Sequence, residues 1–185
     1  MPRPPRAEQP GGIFHVYSRG AVKQTIFLDN RDRATYLGAL ARVIHRTGWR
    51  CLSYCLMGTH MHLLIETPQP NLGRGMHLLH GWYAQVFNQR HGKSGHVFGA
   101  RYGATSVTTD AQLWVTVRYI ARNPVDAGFV KTAERWPWSS HAALAEGATP
   151  PCVDVARLLS YFRSMGGDPL RRYCELIATA EPERA

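Results

Sequence analysis

Three features of the sequence predict an α+β fold. Short strand-like runs (Ile13–Tyr17, Trp49–Met57, His60–Glu66) alternate with longer segments whose apolar residues fall at helical spacing. Two of the runs are separated only by Gly58-Thr59, room for a turn and hence for antiparallel neighbours. The resulting order, βαββαβ, suits a ferredoxin-like antiparallel sheet with both helices on one face, followed by one added helix and a short helical extension. The second face of the sheet is then left free for the added helix and a site.

Ile13-Phe-His-Val-Tyr17 is the first strand, with Ile13, His15 and Tyr17 on one face and Phe14 and Val16 on the other. Asn30 can cap a helix running to about Thr47. Its residues Leu37, Leu40, Ala41 and Ile44 share a face, and Gly48 stops it. Trp49–Met57 and His60–Glu66 follow as strands. Pro68, Pro70 and Gly73 mark a loop before a second amphipathic helix, from about Gly75 to Arg90, with Met76, Leu79, Tyr83, Val86 and Phe87 stepping by three and four. His96–Val107 is a fourth extended region broken by glycines. Asp110 caps the added helix, which Asn123-Pro124 ends near Arg122, because a residue before proline avoids helical geometry. Asp154–Ser164, and Pro169–Ala178 with Asp168 as N-cap, are two short helices. Three regions follow: a basic, proline-rich arm over residues 1–11, a main domain over 12–145 and a helical extension over 146–185.

Composition narrows the function. No apolar run reaches membrane-span length, and no apolar segment follows the basic N-terminus, so a cytoplasmic protein without a secretory signal is expected. Four cysteines (Cys51, Cys55, Cys152, Cys174) form no Cys-x-x-Cys pair and are expected as reduced core residues. A zinc site of Cys51, Cys55, His60 and His62 matches no common structural spacing. The net charge of +9 calls for an anionic partner. Between Thr67 and Thr109 there is no Asp or Glu, while Arg74, Arg90, Lys93 and Arg101 stand among four histidines. A solvated basic face would look similar, but interleaved aromatics such as Trp82 and Tyr102 favour nucleic acid, with the cations on phosphates and the rings on unpaired bases.

The chemistry centres on Gly58-Thr-His-Met-His-Leu-Leu-Ile-Glu66. On a strand His60 and His62 project together, with Met61, Leu63 and Ile65 turned to the core. Paired imidazoles can hold a divalent metal, but with nine histidines in the chain the pair needs a partner. The added helix offers one. Tyr119 and Asn123 lie four residues apart on one face, while Leu113, Val117 and Ile120 turn to the core. A tyrosine hydroxyl can attack phosphorus, and an amide oxygen can complete a metal site. A core or surface tyrosine and a helix-terminating Asn-Pro are the plain alternatives.

Four blocks, Pro10–Gly20, Met57–Glu66, Tyr119-Ile-Ala-Arg-Asn-Pro-Val-Asp-Ala-Gly128 and Trp136-Pro-Trp-Ser-Ser140, resemble the REP-associated tyrosine transposases of the single-tyrosine HUH, IS200-like group. They stand in the family's order. The resemblance implies that His60, His62 and Asn123 ligate Mg2+ or Mn2+ and that Tyr119 is the nucleophile. It further implies cleavage of single-stranded, hairpin-forming DNA through a 5′-phosphotyrosine, without a nucleotide cofactor, by a monomer rather than a dimer. Nucleoid association would follow. Two departures stand out: Gly58-Thr59 where relatives often carry Pro-Asn, and Asp126 where they often carry a basic residue. Two other classes remain. A domesticated hairpin-binding protein would keep the grip and lose transposition. A ferredoxin-like RNA-binding module would need surface aromatics on its central strands, which here are few.

Overall fold

The computed structural model describes residues 10–179. Most of the expected basic arm, residues 1–9, and the last part of the extension, 180–185, lie outside them. The elements run β1 (Gly12–Arg19), α1 (Asn30–Thr47), β2 (Arg50–Leu56), β3 (His60–Thr67), α2 (Leu72–His91), β4 (Gly103–Val107), α3 (Asp110–Asp126), α4 (Ser140–Ala145), α5 (Val155–Ser160) and α6 (Pro169–Ala178). Strand order is β2-β3-β1-β4, with every neighbouring pair antiparallel. The expected fold is the one observed.

Each face of the sheet has its own core. Phe14, Val16, Met61, Leu63 and Ile65 meet Tyr36, Leu40 and Val43 of α1 and Met76, Leu79 and Tyr83 of α2. On the other face Leu52, Cys55, Met57 and Leu64 meet Leu113, Val117 and Ile120 of α3, together with Leu158, Phe162, Tyr173 and Ile177 from the extension. A register shift between Cys51 and Ser53 turns Cys51 and Cys55 to opposite cores, so they cannot share one zinc ion. All four cysteines are free. Among the described residues, no helix is long and apolar enough to cross a membrane.

Several boundaries differ from the sequence expectation. Asp29, not Asn30, caps α1, its carboxylate accepting from the Asp32 amide at 3.0 Å. Helix α2 begins at Leu72 rather than Gly75, and Asn71 just before it is fixed by accepting from Trp49 Nε1 at 2.7 Å and donating to the Thr47 carbonyl at 2.9 Å. The extended region 96–107 narrows to β4, preceded by a single bridge between Gly20 and Phe98. Thr109 caps α3, with Asp110 as its first residue. That helix also passes through Pro124 to Asp126 instead of ending near Arg122. Set in the last turn, the proline removes its own N–H bond without stopping the helix. Asn123 therefore keeps helical geometry one turn beyond Tyr119.

The extension also clasps α3 directly. The Arg118 guanidinium donates to the Thr179 carbonyl at 2.6 Å and Arg122 donates to that of Ile177 at 3.3 Å, satisfying carbonyl groups at the C-terminal end of α6.

Candidate metal and tyrosine site

Strand β3 delivers His60 and His62 to the face that α3 covers only in part. The gap is a cleft of about 1030 Å³ lined by His15 and Tyr17 of β1, the two histidines, and Val115, Thr116, Tyr119 and Asn123 of α3. His60 and His62 ring centroids are 5.2 Å apart. His60 Nε2 lies 2.9 Å from Asn123 Oδ1, and Asn123 Nδ2 lies 3.4 Å from His62 Nε2, so one amide bridges both imidazoles. Tyr119 is 46% exposed, its ring edge-on to His62 at 5.3 Å and to His15 at 5.6 Å.

The hydrogen-bond network assigns the tautomers. With Asn123 Oδ1 accepting, His60 carries its proton on Nε2, and its Nδ1 accepts from Thr59 Oγ1 at 3.1 Å. With Asn123 Nδ2 donating, His62 Nε2 is a bare lone pair. Its proton then sits on Nδ1 and is donated to His15 Nε2 at 2.9 Å. Burial holds all three imidazoles neutral at pH 7. His62 is pushed down to about 3 by burial, with His15, His60 and Arg19 adding to it. His15 is lowered to about 4 by burial. His60 is lowered by burial, against a smaller opposing effect of its Asn123 hydrogen bond.

Neutral imidazole nitrogens and an amide oxygen on one wall of an open cleft fit a divalent cation. Among the described residues no group of three or more His, Cys, Asp or Glu is placed to hold a metal, so a third donor beside His60 and His62 would have to be the Asn123 amide. His62 is already in the ligating tautomer. His60 would have to move its proton to Nδ1, where Thr59 Oγ1 can accept it. An ion held by these two nitrogens and one oxygen would face the open cleft, and an oxygen-preferring ion could then take water and phosphate ligands there. Asp126, on the same cleft, is paired with Arg122 at 3.7 Å, which offsets its charge.

The remaining expected contacts are scattered. Arg74, Lys93 and Arg101 are exposed. Arg101 and Tyr102 line a second cavity of about 1090 Å³ with His77, His80, His96 and Phe98, and Lys93 sits 5.3 Å from the Phe87 ring. Arg90 is committed elsewhere: its guanidinium pairs with Asp29 at 2.6 Å and with the buried Asp32, tying α2 to the start of α1. Trp82 packs in the helix layer under the Arg42 guanidinium, 4.8 Å from its ring centroid, with the sheet between it and Tyr119. His15, Tyr17 and Thr59 had no assigned role in the sequence. Strand parity placed His15 and Tyr17 on this face, but nothing in the letters paired His15 with His62.

A model of the family described as IS200-like transposase matches residues 12–123. Among solved structures, a REP-associated tyrosine transposase bound to a REP hairpin superposes with a TM-score of 0.66 at 20% identity, over 84% of this chain and 93% of its own. A candidate transposase from Deinococcus radiodurans R1 aligns with a TM-score of 0.45 at 15% identity, over 62% of this chain and 92% of its own. Among curated proteins none matches. The family match spans more than half of the chain. The chain belongs to the IS200-like transposase family, enzymes that cut and transfer DNA.

Proposed function

We propose that this protein is a metal-dependent endonuclease and strand transferase that cuts single-stranded, hairpin-forming DNA of the REP kind through a 5′-phosphotyrosine at Tyr119. The observation that carries this reading is the convergence of His60 Nε2, His62 Nε2 and Asn123 Oδ1 beside a half-exposed tyrosine. The net charge of +9 and the resemblance in fold to a relative bound to a REP hairpin support the choice of substrate.

His60, His62 and Asn123 would hold Mg2+ or Mn2+. When bound, such an ion supplies positive charge against the scissile phosphate. Tyr119 Oη attacks the phosphorus in line; the Oη–P bond forms as the P–O3′ bond breaks. The tyrosyl proton passes to solvent or a base, and the departing oxygen is protonated to a free 3′-hydroxyl. The phosphotyrosine keeps the bond energy, so a new 3′-hydroxyl reverses the step without a nucleotide cofactor. Arg74, Lys93 and Arg101 are the remaining candidates for backbone phosphates and Tyr102 for a base, whereas Arg90 and Trp82 serve packing.

Mixed with single-stranded hairpin DNA and Mg2+ or Mn2+, the protein should give a covalent adduct that survives a denaturing gel. Tyr119→Phe and His60→Ala should each abolish it. An adduct that persists in Tyr119→Phe removes Tyr119 as nucleophile, and tight hairpin binding without cleavage points to the domesticated reading.

A further inference from the structure

We propose that the ring of Tyr17 is a stacking platform for an unpaired nucleobase next to the phosphate that is cut, an inference that rests on the DNA-cleaving reading of the cleft. Tyr17 stands on β1, a central strand, on the face that carries His15 and His62, and lines the same cleft as Tyr119. It belongs to neither hydrophobic core and is 44% exposed, so packing alone does not account for it.

The partner strand has made room for this ring. Gly103 of β4 pairs directly with Tyr17, and a Cβ on it would lie 2.1 Å from Tyr17 Cζ and 2.2 Å from Cε2. Gly103 has no left-handed backbone angle that would call for glycine. The tyrosine ring instead lies down across its Cα, and a Cβ there would have to push the ring aside. A glycine inside a strand forgoes both packing and strand propensity, and typically marks such a close approach. The result is a flat aromatic surface on a central strand, the surface on which unpaired bases stack in ferredoxin-like nucleic-acid-binding sheets. Val115 of α3, 69% exposed and lining the same cleft, offers an aliphatic cover for the other side of a base.

The test is a binding titration in the Tyr119→Phe background, where no strand is cut. Each unpaired base flanking the hairpin is replaced in turn by an abasic site. One position should weaken binding about tenfold, in line with the usual worth of a base–aromatic stack. Tyr17→Leu should lose the same factor and become indifferent to that abasic site, whereas Tyr17→Phe should match its parent. A 2-aminopurine at that position should be quenched on binding to the parent and to Tyr17→Phe, but not to Tyr17→Leu. Parent-like affinity in Tyr17→Leu, an abasic loss that simply adds to that of Tyr17→Leu, or an equal loss in Tyr17→Phe would each overturn the platform. If the parent binds no hairpin at all, it is the DNA-cleaving reading that falls, and this proposal with it.

Discussion

The tautomer of His62 is set by one neighbour. Its Nδ1–H points at His15 Nε2 at 2.9 Å, which leaves Nε2 bare and facing Asn123. A hydrogen-bonded partner behind a metal-binding imidazole fixes both its proton and its orientation, and loss of such a partner commonly costs 10–100-fold in metal affinity, to order of magnitude. His15→Ala should therefore weaken Mn2+ binding by about that factor in calorimetry, with the fold unchanged. His15→Gln should restore part of it, since its amide oxygen can accept the same hydrogen. Affinity unchanged in His15→Ala would detach His15 from the site. At this scale His60, His62, Tyr119 and Asn123 were legible, because strand parity and helical spacing survive folding. Arg90 was not: its partners Asp29 and Asp32 sit on another helix, and nothing local to Arg90 announces them. Nor could spacing alone place Trp82 with the sheet between it and Tyr119.

At the scale of elements, boundaries were the least legible part, for reasons that lie between elements. The start of α2 is one case. Trp49, at the end of the α1–β2 connection, binds Asn71 through its indole N–H and lays its ring against Gly75. A Cβ at Gly75 would lie 2.0 Å from Trp49 Cζ2. Glycine inside a helix ordinarily gives up roughly 0.5–1 kcal/mol to alanine. Here the sign should invert, and Gly75→Ala should destabilise by about 1–3 kcal/mol through overpacking. Urea denaturation reads this directly, and a more stable Gly75→Ala would show that Trp49 can move aside. Helix α3 is a second case. A proline normally signals an end, but the contacts of Ile120, Ala121 and Pro124 with the second face carry the helix past it. Tertiary packing outweighs the local signal there.

Over the whole molecule, several histidines are held neutral inside the fold. Outside the cleft these include His80, which burial lowers to about 3 as it stacks on Phe98 at 3.9 Å. His141 is also lowered by burial, against the opposing charge of Glu134. A depressed folded value means that the unfolded chain takes up protons first as pH falls below about 6.5. Stability should be flat with respect to these groups above neutrality and decline from about pH 6.5 downward. His80→Phe keeps the stack and should flatten part of that decline in melting temperatures measured between pH 7 and 4. An equally steep decline would mean that His80 is protonated in the folded protein. The two-core plan was only half legible at this scale. The sequence showed a free sheet face for the added helix, but two short terminal helices do not reveal what they cover. Leu158, Phe162, Tyr173 and Ile177 prove to close the second core.

The clasp between α6 and α3 bears on Tyr119, the proposed nucleophile, in mechanical terms. Arg118 and Arg122 flank Tyr119 in sequence, and both guanidiniums are anchored on carbonyls of the extension. The opposite side of α3 is packed into the core by Leu113, Val117 and Ile120. The helix is thus gripped from two directions, like a tool in a vice. For Tyr119 the compliant coordinates are its own two side-chain torsions, so its hydroxyl, in the proposed role of nucleophile, would sweep a short arc rather than ride on a swinging arm.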